Sequence, residues 1–153
     1  MPDNASRILR ARDYRWDDVP LKEYKTGGTH FRAITRQTLV GETEPESALG
    51  HQTRYFEIAP GGYSSLERHE HTHTVVILRG GGELILNDTL HTLGLHDCIY
   101  IAPQTVHQFH ATGDEPLGFL CIVDRQRDRP RLPDAEEAEA LRALPGVGHR
   151  VRT

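Results

Sequence analysis

The sequence predicts an all-β fold whose strands curl into a barrel, followed by one C-terminal helix. Three observations predict it. Short apolar runs such as TVVIL and GFLCIV recur between clusters of glycine, proline, asparagine and aspartate, the pattern of strands joined by turns. Glu67, His69, His71 and His73 stand at alternate positions, and a strand with a side-chain period of two puts alternate residues on one face. Because TVVIL and GFLCIV are apolar at consecutive positions, both of their faces are expected to be covered, as when two sheets pack and an outer face meets a neighbour.

The 153 residues suit one domain with a real core. At 37% hydrophobic and 26% charged, the composition is globular and not disordered. The formal net charge of −4 gives no reason to expect nucleic acid or an anionic membrane as partner, since both call for a concentrated basic surface. MPDNASRILRARDYRW lacks the apolar core of a secretory signal, and no run approaches a membrane span. A cytoplasmic location is expected. Cys98 and Cys121 lie in apolar runs and read as packing thiols of a reducing compartment.

Residues 1–28 read as an N-terminal arm in which Tyr14, Trp16 and Tyr24 drape over something apolar. Residues 29–124 make the barrel, and 125–153 a linker and helix. HFRAITRQTLV is the first strand, GETEPESALG a polar connection, and QTRYFEIA a strand that Pro60, Gly61 and Gly62 stop, because proline removes a ladder donor. Gly80, Gly81 and Gly82 read as a hairpin turn returning the chain as ELILN. Asn87 and Asp88 turn it again, and Gly94 leads into HDCIYIAP. VHQFHA carries His107 and Phe109 on one face, with His110 turned to solvent and His91 and His96 at turns or the surface. RQRDRPRLP is a linker. Asp134 and Glu137 form a capping box for AEEAEALRAL, with Leu141 and Leu144 as its docking stripe, ended by Pro145 and Gly146.

Imidazole and carboxylate are the usual ligands of divalent first-row metals, and a curled sheet would aim the face bearing Glu67, His69, His71 and His73 inward. Around it the chain resembles a small single-domain cupin. The family's first motif, glycine, five residues, His-x-His, three or four residues, Glu, six residues and glycine, falls without a gap on Gly61, Glu67, His69, His73 and Gly80. Glutamate and histidine have exchanged places in it. The second motif falls on His96, Ala102, Gln104, His107 and Ala111, where only His107 keeps its residue, supported by Asp97 and Pro103. The resemblance covers roughly residues 55–124.

It implies a cupin-type double-stranded β-helix, or jelly-roll barrel, with Glu67, His69, His73 and His107 as metal ligands. His71 is the alternative to Glu67. Such a set suits Fe, Mn, Ni, Co or Zn and leaves positions open for a small-molecule substrate. A closed structural zinc would also match the donor count. The function expected is that of a metal-dependent enzyme, foremost a dioxygenase. A non-catalytic binding or sensory module and a metal-dependent isomerase or lyase are the alternatives. Arg36 and Arg54 could clamp a substrate carboxylate. Phe109 would narrow the pocket, Tyr63 and Tyr100 are candidate hydroxyl donors, and a homodimer would cover the outer sheet face.

Overall fold

The computed structural model describes residues 6–24 and 29–153, so the remainder of the predicted arm lies outside the described residues. The described chain runs β1 (Ala11–Arg12), β2 (Arg15–Trp16), β3 (Lys22–Glu23), β4 (Arg32–Val40), β5 (His51–Tyr63), β6 (His73–Arg79), β7 (Gly82–Leu86), β8 (Thr89–Leu93), β9 (Cys98–Ile101), β10 (His107–His110), β11 (Leu117–Asp124) and α1 (Ala135–Arg142). One curled antiparallel sheet has the order β8-β7-β10-β5-β11-β6-β9, with β4 on the other side of β5 and β3 beside β4. The fold is all-β, a curled cupin-type jelly roll with one C-terminal helix. No helix among the described residues is long and apolar enough to cross a membrane.

The curl depends on β5. Its first part pairs with β11, ending at Ile58 opposite Leu117, and its last residue, Tyr63, pairs with His110 of β10. Pro60 therefore interrupts a ladder, as expected of a residue without an N–H, but it does not end the strand. The chain bends through Gly61, at φ +81°, and resumes pairing in the second half of the sheet.

The glycine triplet also acts differently from its expected role. β6 pairs with β9 and β11, whereas β7 pairs with β8 and β10, so residues 80–82 carry the chain between the two halves and do not close a hairpin. Glycine is required there because the backbones touch. A Cβ on Gly80 would overlap the carbonyl oxygen of Pro116, and one on Gly82 that of His110. The hairpin at Asn87 is real, with Leu86 opposite Thr89 and Asn87 at φ +51°.

Ile58, Val75, Ile77, Leu84, Ile101 and Leu117 fill the interior beside the stacked rings of Phe56, Phe119 and Phe109. Each such side chain contributes about 1.5–3 kcal/mol through burial. β6 and β11 alternate despite their apolar runs. Val75 and Ile77 are fully buried, while Ile122 on β11 is 37% exposed and Tyr100 on β9 is 66% exposed. The outer face is thus not covered within this chain.

Elsewhere the chain covers its own outer faces. Tyr14 and Trp16 pack on Tyr55, with ring centroids 6.0 and 4.9 Å away, and Gln37 donates to the Tyr14 carbonyl and accepts from the Trp16 N–H. At the other end α1 begins in the Asp134–Glu137 capping box, and Leu141, Leu144, Val147 and Val151 close over Leu66, Ile85 and Val106.

That C-terminal cover corrects the reading of His110. The ring does leave β10 on the side opposite His107, but the C-terminal segment lies there, and His110 is buried. Its Nε2 donates to Gln108 Oε1 at 3.1 Å, and the Gln108 amide is held by Ser64 and Arg152. Burial, then Arg150, Arg152 and His149, push its pKa down to about 4. Glu83 opposite it on β7 is occupied by Arg150. The unfolded chain therefore binds a proton near pH 6.5 that the folded chain refuses until about pH 4. Stability from this group is complete above pH 6.5 and lost as pH falls to about 4, up to about 3 kcal/mol. Denaturation midpoints across that window should fall less steeply for His110→Asn than for wild type; equal slopes would show that His110 does not titrate as described.

Candidate metal centre

The alternate residues 67–73 were expected to form one strand face. The structure places them otherwise. Only His73 is in a strand, at the start of β6. Glu67 and Arg68 form isolated bridges, and residues 69–72 bend. Glu67 and His107 exchange backbone hydrogen bonds of 3.1 and 2.9 Å, which brings the two distant segments side by side. Gln104 N–H donates to the His69 carbonyl and holds the bend against the loop before β10.

His69, His73 and His107 converge, each offering a ring nitrogen, all within 4.8 Å of one another. Their ring centroids are 4.5, 4.9 and 5.6 Å apart. His69 Nδ1 lies 2.7 Å from the His71 carbonyl and His107 Nδ1 2.8 Å from the Thr105 carbonyl. A carbonyl only accepts, so Nδ1 carries the proton in both rings and Nε2 is left with its lone pair. Nε2 of His69 and of His73 is buried without a hydrogen-bond partner. Burial holds His107 near a pKa of about 4, and burial with the neighbouring imidazoles holds His73 far below the usual histidine range. Three converging ring nitrogens fit a divalent first-row ion, and three such ligands would leave positions open.

Glu67 and His71 border this group without completing its close triangle. Glu67 is buried, lines the same space, and its charge reaches His107 and Tyr24. The His71 ring stacks flat on His69, centroids 3.7 Å apart, and its Nδ1 lies 2.7 Å from Asp128. Asp128 also accepts from the Glu70 and His71 N–H groups. Those bonds, the Glu70 one first, hold its carboxyl well below the usual range.

Phe109 lines an inner pocket with Glu67, His73, His107, Phe119 and Cys121. Cys121 is buried, which raises its thiol pKa, against the opposing influence of the nearby Arg54 guanidinium. Arg36 and Arg54 line an outer cleft of about 510 Å³ that reaches His69, His71 and His73. Tyr63 lines neither space, and its hydroxyl donates to the Thr29 carbonyl. Tyr100 points outward on β9. The sequence reading placed Tyr24 in the packing arm and passed over Arg127 and Asp128, and all three line the outer cleft. Nothing short-range marks them, because Arg127 and Asp128 sit in a charged stretch that reads as a connection.

Residues 54–123 match the model of the cupin domain. The chain is 43% identical over 131 residues to the 1-methylthio-D-xylulose 5-phosphate methylsulfurylase of Rhodospirillum rubrum, covering 85% of this chain and 81% of that protein. Among solved structures it is similar to a cupin 2 conserved barrel domain protein from Rhodopseudomonas palustris, with TM-score 0.86, 39% identity, and coverage of 97% of this chain and 100% of the other. It is also similar to a cupin 2 domain-containing protein from Halorhodospira halophila, with TM-score 0.75, 51% identity, and 97% of each chain covered.

Metal analysis of purified protein tests the ligand assignment. Alanine at His69, His73 or His107 should empty the site. His71→Ala should keep the ion with an affinity roughly 10–100-fold weaker, as for loss of a group that positions a ligand. A metal-free His71→Ala protein would instead make His71 a ligand.

Proposed function

The chain belongs to the cupin family, and from that premise we propose that it is a metal-dependent enzyme acting on a phosphorylated ketose that carries a methylthio group. One observation carries the reading: three imidazoles bring ring nitrogens within 4.8 Å of one another beside a cleft of about 510 Å³, in a chain 43% identical to an enzyme named for 1-methylthio-D-xylulose 5-phosphate. Such a compound has a ketone between its methylthio carbon and a hydroxyl-bearing carbon. The ketone and hydroxyl oxygens can be chelated together. A divalent ion held by His69, His73 and His107 would supply Lewis acidity to that ketone; an external thiol would take the methylthio group as a mixed disulfide, the carbon–sulfur electron pair would pass to carbon as an enolate, and the proton given up by the thiol would balance protonation of that carbon to the deoxyketose.

The chain's own residues set the conditions. The Thr105 and His71 carbonyls fix the ligand rings. Phe109 and Phe119, stacked with centroids 4.6 Å apart, give the inner pocket an apolar wall that suits a methylthio group and excludes water. Glu67, inside the same pocket, is placed either to complete the ligand set or to move a proton at the carbon that loses sulfur. The dioxygenase reading shares the same imidazole centre, but the similarity to a methylsulfurylase favours carbon–sulfur chemistry.

Protein loaded in turn with Mn(II), Fe(II), Co(II), Ni(II) and Zn(II), then mixed with 1-methylthio-D-xylulose 5-phosphate in thiol-containing buffer, tests this. The S-methyl proton resonance of the substrate should disappear with at least one ion, and His69→Ala should act at under about a hundredth of that rate, the loss expected when electrostatic activation goes. Dissolved oxygen should stay constant. Oxygen uptake with a diketone or phenol, and an unchanged S-methyl resonance, would favour the dioxygenase reading.

A further inference from the structure

We propose that Arg36, Arg54 and Arg127 together form a phosphoryl-binding site on the wall of the metal cleft. This deepens the sugar-phosphate reading and rests on it for the identity of the natural ligand, but the site itself is argued from charge and burial.

Arg36 on β4 and Arg54 on β5 face the same side of the sheet, since Thr38 stands opposite Arg54 and Arg36 opposite Phe56. Arg54 is only 7% exposed. Its guanidinium lies over the Phe56 ring at 4.9 Å, with Nη2 3.7 Å from Cys121 Sγ. The Nε atoms of Arg36 and Arg54 are both buried without a hydrogen-bond partner. Arg127 approaches from the segment after β11, held by Nη1 to Gln52 Oε1 at 2.9 Å and to the Asp124 carbonyl at 2.8 Å. All three line the cleft that contains His69, His71 and His73.

Among the described residues none of the three is in an ion pair with a carboxylate. Two carboxylates share the cleft. Asp128 is engaged by two backbone N–H groups and His71, and Glu67 lies against the imidazoles and Tyr24. Burial and the charges of Arg54 and Arg36 depress the pKa of Arg127, as expected of guanidiniums facing one another.

Arg54 is buried, Arg36 half-buried and Arg127 exposed at the cleft mouth; an unpaired buried cation is costly, and clustering adds repulsion. Such an arrangement persists where a ligand neutralises it. A carboxylate carries one charge and two oxygens, which one arginine can saturate. A phosphate monoester carries nearly two charges and three free oxygens, enough for three guanidinium forks. With its ketone at the imidazoles, a ketose 5-phosphate would extend its phosphoryl group along this cleft.

Calorimetric titration of the metal-loaded protein with inorganic phosphate, and with D-xylulose 5-phosphate against D-xylulose, tests the site. Wild type should bind phosphate and prefer the sugar phosphate to the free sugar. Arg36→Gln and Arg127→Gln should each weaken phosphate binding about 10-fold or more, the cost of losing a charge-assisted hydrogen bond, with metal content unchanged. Arg54→Lys, which keeps the buried charge but not the fork, should weaken it too. His107→Ala, lacking the ion, should still bind phosphate. Phosphate affinity within twofold of wild type in both glutamine variants, or its loss in His107→Ala, would overturn the site. If the arginines govern phosphate binding but no carbon–sulfur bond is cleaved, the substrate reading falls and the site stands. If the dephosphorylated thiosugar is turned over as fast as its phosphate, the site falls and only the carbon–sulfur chemistry stands.

Discussion

Two carbonyl oxygens orient two of the three imidazoles that could hold a metal. Those of His71 and Thr105 accept from Nδ1 of His69 and His107, so the opposite ring nitrogens keep their lone pairs and point at one another. The bonds exist because the backbone leaves regular pairing there. In a strand the His71 carbonyl would belong to a ladder; in the bend at residues 69–72 it is free to turn onto a ring two residues back. The irregularity that precedes β6 is therefore what orients the rings.

The same constraint sets the charge of the cleft. Burial keeps His73 and His107 neutral, while a few residues away the cleft holds guanidiniums that cannot become neutral, that of Arg54 buried. A neutral donor cluster next to a positive one anchored by the buried Arg54 suits a ligand that is polarised at one end and anionic at the other. The segment after β11 makes this arrangement possible, because it contributes Arg127 to the positive group and Asp128 to His71, whose ring buttresses His69. Arg68 and Arg131 pair their backbones and tie that segment to the metal loop.

The legible part of the fold was the part governed by local periodicity and turn chemistry. The Asn87 turn, the capping box at Asp134 and the positions of most strands follow from a few neighbouring residues. Gly80, Gly81 and Gly82 show where that legibility stops. Glycine signals a tight place without saying whether the chain turns back or crosses over, and here Pro116 and His110, far along the chain, are what make it tight. His110 was misread for a similar reason. Alternation correctly turned it away from His107, but only the C-terminal segment decides whether that side meets solvent or protein.

The sequence by itself determined that strands predominate and that an acidic and imidazole-rich stretch lies between two glycine clusters, since strand periods and spacing are properties of the chain read in order; the resemblance to cupins added that His107 belongs with it. Tertiary structure alone decided which of those side chains converge. It brought Glu67 beside His107 through a backbone bridge, stacked His71 outside the three-nitrogen group, and folded a charged connection against the cleft so that Arg127 joined Arg36 and Arg54. The reason is physical. Metal and anion sites are defined by distances of a few ångströms between groups many residues apart, and those distances are set by the pairing and packing of the whole sheet, not by any one segment of it.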